Sequence, residues 1–270
     1  MDHNFKLTPF KYRKITNCLP SNEKYIQNVD EAKFLTGQPL NKYWTFDFIE
    51  TISQYIDFND IKTILDIGSR DGYQSVEFRT WFPESKIFAF EGNPSQFNLI
   101  SEITSGYDVD IIMKSVGNFN GKTKFYISPN NIGASSLLKI NDHKRSSEWP
   151  QKEIEVDIIR LDDWAKKNNV NEIDILWMDV QGVEKMVLEG LGEYLKNVKA
   201  ICTEIEVEHM YHNSTLKTEL DDFLLKENFV ELQTFHMLPI ENVTLDEIKK
   251  LQGEVDTIYI NKKYLNSEKK

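Results

Sequence analysis

The sequence predicts an α/β fold built on a mainly parallel sheet with helices on both faces, preceded by an N-terminal extension. Three observations predict it. Short apolar strands alternate with helical patterns through most of the 270 residues. The first of those strands runs into a glycine-bearing turn, Asp66-Ile67-Gly68-Ser69-Arg70-Asp71-Gly72. Acidic side chains then gather where apolar strands stop, at Glu91, Asp179 and Glu204. Alternating strands and helices pack as a parallel sheet covered on both faces, and ligands of such sheets sit at the carboxyl ends of the strands.

Residues 1–57 are read as the extension, 58–265 as the main domain and 266–270 as a polar tail. The first 40 residues are aromatic and polar without clean periodicity. Pro9, Pro20 and Pro39 punctuate them, as expected of irregular chain or short helices. From Tyr43 to Ile56, the apolar Phe46, Ile49, Ile52 and Ile56 recur at three- and four-residue steps, which predicts an amphipathic helix. Strands are then expected at 62–67, 86–90, 109–113, 123–127, 154–159, 173–178, 199–207, 229–234 and 257–261. Helices are expected at 72–81, from Pro94 onward, from Leu161, at 183–195 and at 215–226. Proline is tolerated in the first turn of a helix, which suits Pro94. Asn118 to Lys122 is read as a tight turn before the strand at 123–127.

The composition excludes several classes. With 43 acidic against 32 basic residues the net charge is −11, a field that repels a phosphate backbone, so sequence-independent nucleic-acid binding is not expected. Lys122, Lys124, Lys139, Lys144 and Arg145 form the nearest approach to a basic patch and are read as a solvated face. Two cysteines give neither a bridge framework nor a metal-ligand spacing, and Cys202 in its apolar run is read as an inert core residue. The N-terminus lacks the apolar stretch of a signal peptide, and no window approaches the roughly 18 apolar residues of a membrane helix. A reducing cytoplasm is the simplest compartment.

Chemistry is sought at the strand ends. Gly68 and Gly72 permit a tight turn and close approach of backbone to a ligand. Asp66 can accept from a cationic amine or from turn amides, and the helix beginning near Gly72 presents its N–H groups to a carboxylate. An amino-acid moiety carrying both charges fits. The Gly-x-Gly-x-x-Gly of a dinucleotide loop and the Gly-Lys-Ser/Thr of a phosphate loop are both absent. Glu91 follows Gly72 by 19 residues, the offset at which a carboxylate can hold the hydroxyls of a ribose, or else it caps the helix at Pro94. Asp179-Val180-Gln181-Gly182-Val183-Glu184 places polar groups at the end of a buried strand, as functional residues or as helix caps. Alternation puts Glu204 and Glu206 on one side of a strand, ahead of His209 and His212.

Taken in order, these segments resemble the FkbM-type methyltransferases, usually small-molecule or sugar O-methyltransferases. The resemblance spans roughly Ile61 to Glu206. It rests on residues 64–72 and 88–94, on Ser115-Val116-Gly117-Asn118-Phe119-Asn120-Gly121, on Ala134-Ser135-Ser136-Leu137, and on Leu161-Asp162-Asp163-Trp164 with residues 173–184 and Val187-Leu188-Glu189-Gly190. The Asp-Val-Gln-Gly-x-Glu element is the most specific. The resemblance implies a Rossmann-like class I methyltransferase domain with a seven-stranded sheet, S-adenosyl-L-methionine as cofactor, and a saccharide or related hydroxyl compound as acceptor. It implies that Asp66, Gly68 and Gly72 line the methionine end, with Ser69, Arg70, Gln74 and Ser75 beside them. Glu91, with Gly92 and Asn93, would meet the ribose, Ser115 and Val116 the adenine, and Asp179 the methyl group and acceptor. Two positions depart from the pattern: Arg70 stands where a small or amide residue is usual, and Gly92 replaces a proline.

A sulfonium methyl is already electrophilic, so the protein's task is to align an oxygen nucleophile and exclude water. A neutral sugar hydroxyl benefits from a base, for which Asp179, Glu184, Glu206 and His209 are candidates. Alternatively, Asp179 with Glu204 or Glu206 holds a divalent metal that acidifies the hydroxyl. The aromatic extension (Phe5, Phe10, Tyr12, Tyr25, Phe34, Tyr43, Trp44) is read either as a lid or sugar-stacking wall, or as a surface that packs on the domain or on a homo-oligomer partner. Two other classes are weighed: a nicotinamide-dependent oxidoreductase, disfavoured by the missing dinucleotide loop, and a non-catalytic interaction module on the same fold.

Overall fold

Strands buried on both faces read as continuous apolar runs, and Thr63–Ile67 is buried along its whole length. The computed structural model describes residues 7–9, 45–141, 147–236, 244–251 and 253–265. Its strands are β1 (Leu7–Pro9), β2 (Thr63–Ile67), β3 (Lys86–Phe90), β4 (Val109–Ile112), β5 (Ser115–Val116), β6 (Gly121–Ile127), β7 (Lys152–Ile159), β8 (Ile175–Met178), β9 (Ala200–Glu206), β10 (Phe229–His236) and β11 (Glu254–Asn261). Its helices are α1 (Phe46–Ile52), α2 (Tyr73–Trp81), α3 (Phe97–Ile103), α4 (Leu161–Lys167), α5 (Glu184–Leu191), α6 (Lys217–Lys226) and α7 (Leu245–Leu251).

The main sheet runs β1-β10-β11-β9-β8-β2-β3-β4. The block from β4 to β9 is parallel, and β11 runs antiparallel to both β9 and β10. Seven of these strands form the expected sheet. The eighth, β1, comes from the extension, which the sequence alone left irregular; it pairs parallel to β10 at the sheet edge, where proline's missing N–H is tolerated. From β2 the chain steps outward through β3 and β4, then restarts on the other side of β2 at β8. That reversal is the topological switch point, and ligands of such sheets bind beyond its strand ends.

Side chains alternate between the two faces. Leu65, Ile67, Leu176, Met178 and Ile201 pack on one face with Val187 and Leu188 of α5. Ile64, Ile175, Trp177 and Cys202 pack on the other with Phe78 of α2. Phe48, Ile49 and Ile52 of α1, and Ile56 beyond it, belong to that second core. The helix expected at 43–56 is therefore part of the domain's core, and the division at residue 57 does not separate it. Cys202 is 3% exposed, and burial pushes its thiol pKa well up.

At the amino end of the parallel block, buried Asp174 accepts from Lys62 N at 2.7 Å and Thr63 N at 2.9 Å and pairs with Lys199 Nζ at 2.6 Å. One carboxylate thus ties β2, β8 and β9 together. A second sheet, ordered β5-β7-β6, stands beside the main one. Because β7 lies between β5 and β6, the turn at Asn118–Lys122 does not close a hairpin. Helix α7 is not among the expected elements, although Thr244 and Glu247 at its start form the reciprocal Thr-x-x-Glu cap that announces a helix. Of the basic residues in the expected patch, Lys122 pairs with Glu155 and Lys124 with Glu153 across β6 and β7; Lys144 and Arg145 lie outside the described residues. No helix among the described residues is long and apolar enough to cross a membrane.

Candidate active site

The loop after β2 is fixed first by backbone bonds. Gly68 N and Ser69 N both donate to Phe90 O, at 2.9 and 3.0 Å, and Asp179 N donates to Ile67 O at 2.9 Å. Gly68 has φ +83°, and a Cβ there would lie 1.8 Å from the Asp179 carbonyl oxygen. Only a bare Cα allows the ends of β2 and β8 to meet this closely. Gly72 also has φ +81°, and its missing Cβ makes room for Thr104 and Ile100, so it serves the packing of α2 on α3.

Between them, Arg70 takes φ 51°, a region non-glycine residues rarely occupy. Its backbone N donates to Glu91 Oε2 at 2.8 Å, while its guanidinium grips Asp71 Oδ2 through Nε at 3.2 Å and Nη2 at 3.0 Å. Asp71 Oδ1 in turn accepts from Tyr73 N at the start of α2.

A cleft of about 580 Å³ opens over this loop, lined among others by Arg70, Glu91, Gly92, Ser115, Val116 and Phe125. Gly68, Asp179 and Gln181 close its other side. Glu91 accepts from Asn93 N at 2.6 Å and from Arg70 N, yet burial raises its pKa from 4.5 to about 7 against those bonds. A Cβ at Gly92 would lie 2.3 Å from Ser115 Oγ and 3.0 Å from Phe125 Cε2. The glycine at this position therefore lets β5 and β6 lie against the carboxylate segment, a constraint that a proline ring would violate. Ser115 Oγ is buried and has no hydrogen-bond partner among the described residues.

Six expected cofactor contacts, Asp66, Ser69, Gly72, Gln74, Ser75 and Asn93, do not line this cleft. Asp66 is 1% exposed and does not line the cleft; its carboxylate accepts from Ser75 Oγ, and burial raises its pKa from 3.8 to about 6. Asp66 and Ser75 brace the loop from behind, because β2 turns Asp66 toward α2. Asn93 Oδ1 accepts from Ser95 N and Ser95 Oγ and caps the short helix at Pro94. Gln74 lines a neighbouring cavity instead.

That second cavity, of about 1030 Å³, shares Arg70, Gly133, Asp179 and Gln181 with the cleft. Glu204, Glu254, Asp256, Trp149 and Trp177 line its far side. Register explains the grouping. Trp177 pairs with Cys202 and Asp256 with Glu204, so one face of β8, β9 and β11 ends in carboxylates. Asp179 Oδ1 and Glu204 Oε2 each accept from Gln181 Nε2 at 2.7 Å. Burial, and then the neighbouring carboxylates, hold Glu204 well above the usual carboxylate range and bring Asp256 to about 7. Asp179 is also raised by burial, opposed by the Gln181 hydrogen bond and by the charge of Arg70.

The remaining base candidates are not brought to this wall. Glu184 is 1% exposed, accepts from Gly182 N at 2.8 Å, and is raised from 4.5 to about 8 by burial. Glu206 Oε2 accepts from Met210 N at 2.6 Å and from the Ser214 hydroxyl, holding the loop after β9. His209 is exposed, with Nδ1 3.0 Å from Ser214 Oγ. None of the three lines the cleft or the cavity. Asp179, Glu204 and Glu206 therefore do not form a ligand set. The first two share one amide and the third faces its own loop, and among the described residues no group of three such side chains is arranged around a metal ion.

Sequence reading did not single out Gln181 or Tyr211. Gln181 has φ 52°, and its Oε1 accepts from Tyr211 Oη at 2.8 Å. Tyr211 Oη also reaches Ala134 O at 3.0 Å. Gln181 stands inside the Asp-Val-Gln-Gly element, so it had a signal. Tyr211, approaching from a distant loop, had none.

A sequence profile described as the methyltransferase FkbM domain matches residues 66–231. The 2-O-methyltransferase NoeI of Sinorhizobium fredii is 30% identical over 157 residues, covering 55% of this chain and 65% of that protein. The chain thus spans just under two thirds of the length of that relative. The hexuronic acid methyltransferase AglP of Haloferax volcanii is 24% identical over 213 residues, covering 74% of this chain and 83% of the relative. Among solved structures, an Aeropyrum pernix fibrillarin in complex with S-adenosyl-L-methionine is 10% identical with a TM-score of 0.45, covering 79% of this chain and 74% of the other.

Proposed function

The chain belongs to the FkbM methyltransferase family, and from that premise we propose that it transfers a methyl group from S-adenosylmethionine to a hydroxyl of a saccharide or a related small molecule. One observation carries the reading. Asp179 lies on the wall shared by the cleft over the β2 loop and a second, larger cavity, at the switch point of the sheet.

The cleft suits the nucleoside end of the cofactor. Glu91 is the carboxylate for the ribose hydroxyls. Ser115 Oγ, buried without a partner among the described residues, has hydrogen-bonding capacity to offer an adenine edge. When bound, the cofactor supplies an electrophilic sulfonium methyl. The protein's part is to orient the acceptor and take its proton. Asp179 is the base for that proton, since it alone of the candidate bases lines both spaces. Its raised pKa makes it a stronger base than an ordinary aspartate.

The acceptor cavity presents Asp179, Glu204, Glu254 and Asp256. Its cation, Arg70, is engaged by Asp71. An uncharged or amine-bearing glycoside suits such walls, and a carboxylate-bearing one does not. The relative named for hexuronic acid therefore guides the reaction class for this chain and not its acceptor.

The test is radiolabelled methyl transfer to methyl glucoside, methyl galactoside, methyl mannoside, methyl glucosaminide and methyl glucuronide, with calorimetric binding of S-adenosylhomocysteine alongside. Transfer to a neutral or amino glycoside is expected. Binding of S-adenosylhomocysteine without transfer to any of them would sink the acceptor class. Absence of binding would sink the cofactor cleft.

A further inference from the structure

We propose that Gln181, held by Tyr211, is a positioning residue that aims Asp179 at the acceptor hydroxyl, an inference that rests on the methyl-transfer reading above. A side-chain amide has two N–H donors at one end and an acceptor at the other. Here the donor end serves two carboxylates, Asp179 Oδ1 and Glu204 Oε2, each at 2.7 Å. The acceptor end takes the Tyr211 hydroxyl at 2.8 Å. Reversed, the amide would turn its oxygen toward two carboxyl groups, so these set its polarity, and the Tyr211 hydroxyl, which also contacts Ala134 O at 3.0 Å, holds its far end in place.

The backbone beneath is equally committed. Gln181 holds φ 52°, and its carbonyl accepts from Ser136 Oγ at 2.7 Å. Gly182 follows at φ +98°, where a Cβ would lie 2.7 Å from Ser214 Cβ. Strained backbone at a ligand site persists only when its surroundings over-determine it. In this turn the outcome of that constraint is one pinned carboxylate. With Oδ1 held, the Asp179 carboxyl cannot turn freely, and Asp179 lines both the cleft and the cavity. Tyr211 is 1% exposed and lines neither space, so it acts through Gln181.

The test uses the full chain, isotope-labelled, with S-adenosylhomocysteine as the probe and Tyr211→Phe as the first variant. That change removes one hydroxyl and keeps the ring. Affinity for the probe is expected to stay unchanged, while the Gln181 side-chain amide protons move upfield and lose protection from exchange. The Asp179 carboxyl carbon signal should shift with them. On any glycoside of the panel that is turned over, kcat should fall roughly tenfold to a hundredfold, with KM for S-adenosylmethionine unchanged. Unaltered Gln181 and Asp179 signals, or an unaltered kcat, would overturn the proposal. Should Tyr211→Phe fail to fold, Gln181→Asn is read through the Asp179 carboxyl carbon signal and kcat alone, because its shorter side chain cannot span both carboxylates. If no glycoside is methylated, the acceptor class fails, while the amide and carboxyl signals still decide whether the clamp exists.

Discussion

Gly68 and Asp179 meet backbone to backbone, with space for no side chain between them: a Cβ on Gly68 would lie 1.8 Å from the Asp179 carbonyl oxygen and 2.7 Å from its carbon. The contact joins the two strand ends that flank the switch point. It therefore holds the loop after β2 and Asp179, the proposed base, in one rigid unit.

Gly68→Ala should break that unit. The methyl group meets backbone, which cannot rotate aside, and φ +83° adds strain for any L side chain. Overpacking of this kind costs about 1–3 kcal/mol, and the loss of S-adenosylhomocysteine binding should be larger than the loss of stability implies. Calorimetry and thermal melting on the same sample check it; an Ala variant with native affinity would contradict the arrangement.

Gly92→Ala should act more locally. Its Cβ would press on Ser115 Oγ at 2.3 Å and on Phe125 Cε2 at 3.0 Å. Affinity for S-adenosylhomocysteine should drop. Adding Ser115→Ala to Gly92→Ala should restore part of it, because the closer of the two contacts is removed. A double variant no better than Gly92→Ala alone would mean that the Ser115 contact is not the cause.

Asp174→Ala tests the far end of the sheet. The change leaves two backbone N–H groups and the Lys199 ammonium without their shared carboxylate. Breaking a buried pair in this way costs on the order of 3 kcal/mol, or a melting temperature lower by about 6–12 °C for a chain of this size. Affinity for S-adenosylhomocysteine in the folded variant should match that of the unaltered protein.

Stability should decline as pH rises. Burial raises Asp66 from 3.8 to about 6, Glu91 from 4.5 to about 7 and Glu184 from 4.5 to about 8. Each binds its proton more tightly folded than unfolded. Its contribution is complete below the unfolded value and is lost as pH climbs through the folded one. Melting temperatures measured from about pH 4 to about pH 8 should therefore fall through this window. Glu184→Gln should flatten the fall, and an equally steep profile in that variant would refute the assignment.

Asp179→Asn should lower kcat by roughly 10²–10⁴, the range for loss of a general base. In the unaltered protein, turnover should be lost as pH falls through the raised Asp179 pKa. The acid limb should therefore lie above the range of an exposed aspartate. A limb in the ordinary carboxylate range would point to a different base.

Several of these positions were legible from local pattern. The glycines Gly68 and Gly72, Glu91 at its spacing and the Asp179–Glu184 element are all strand-end features, and strand ends are set by short-range periodicity. Their division of labour was not legible. Asp66 and Glu91 look alike as strand-end acids, yet one faces α2 and the other the cleft, because Asp66 pairs with Ala89 inside the sheet and reaches Ser75, while Glu91 lies two residues further on, beyond the end of β3. Glu204 and Glu206 share a face by alternation, but the loop after β9 folds back and takes up Glu206 through Met210 N and Ser214.

By itself, then, the sequence determined the order of strands and helices apart from β1, β5 and α7, the glycine turn at the first strand end and the set of carboxylates from which a site could be built. These depend on side-chain periodicity and on residues adjacent in the chain. Tertiary structure alone decided which carboxylates meet. Asp179 and Glu204 converge because β8 and β9 are neighbours in register, and Asp256 joins them because β11 reverses direction between β9 and β10. Tyr211 reaches Gln181 across a separation of 30 residues. Such contacts arise from the packing of elements distant along the chain, which no local pattern encodes.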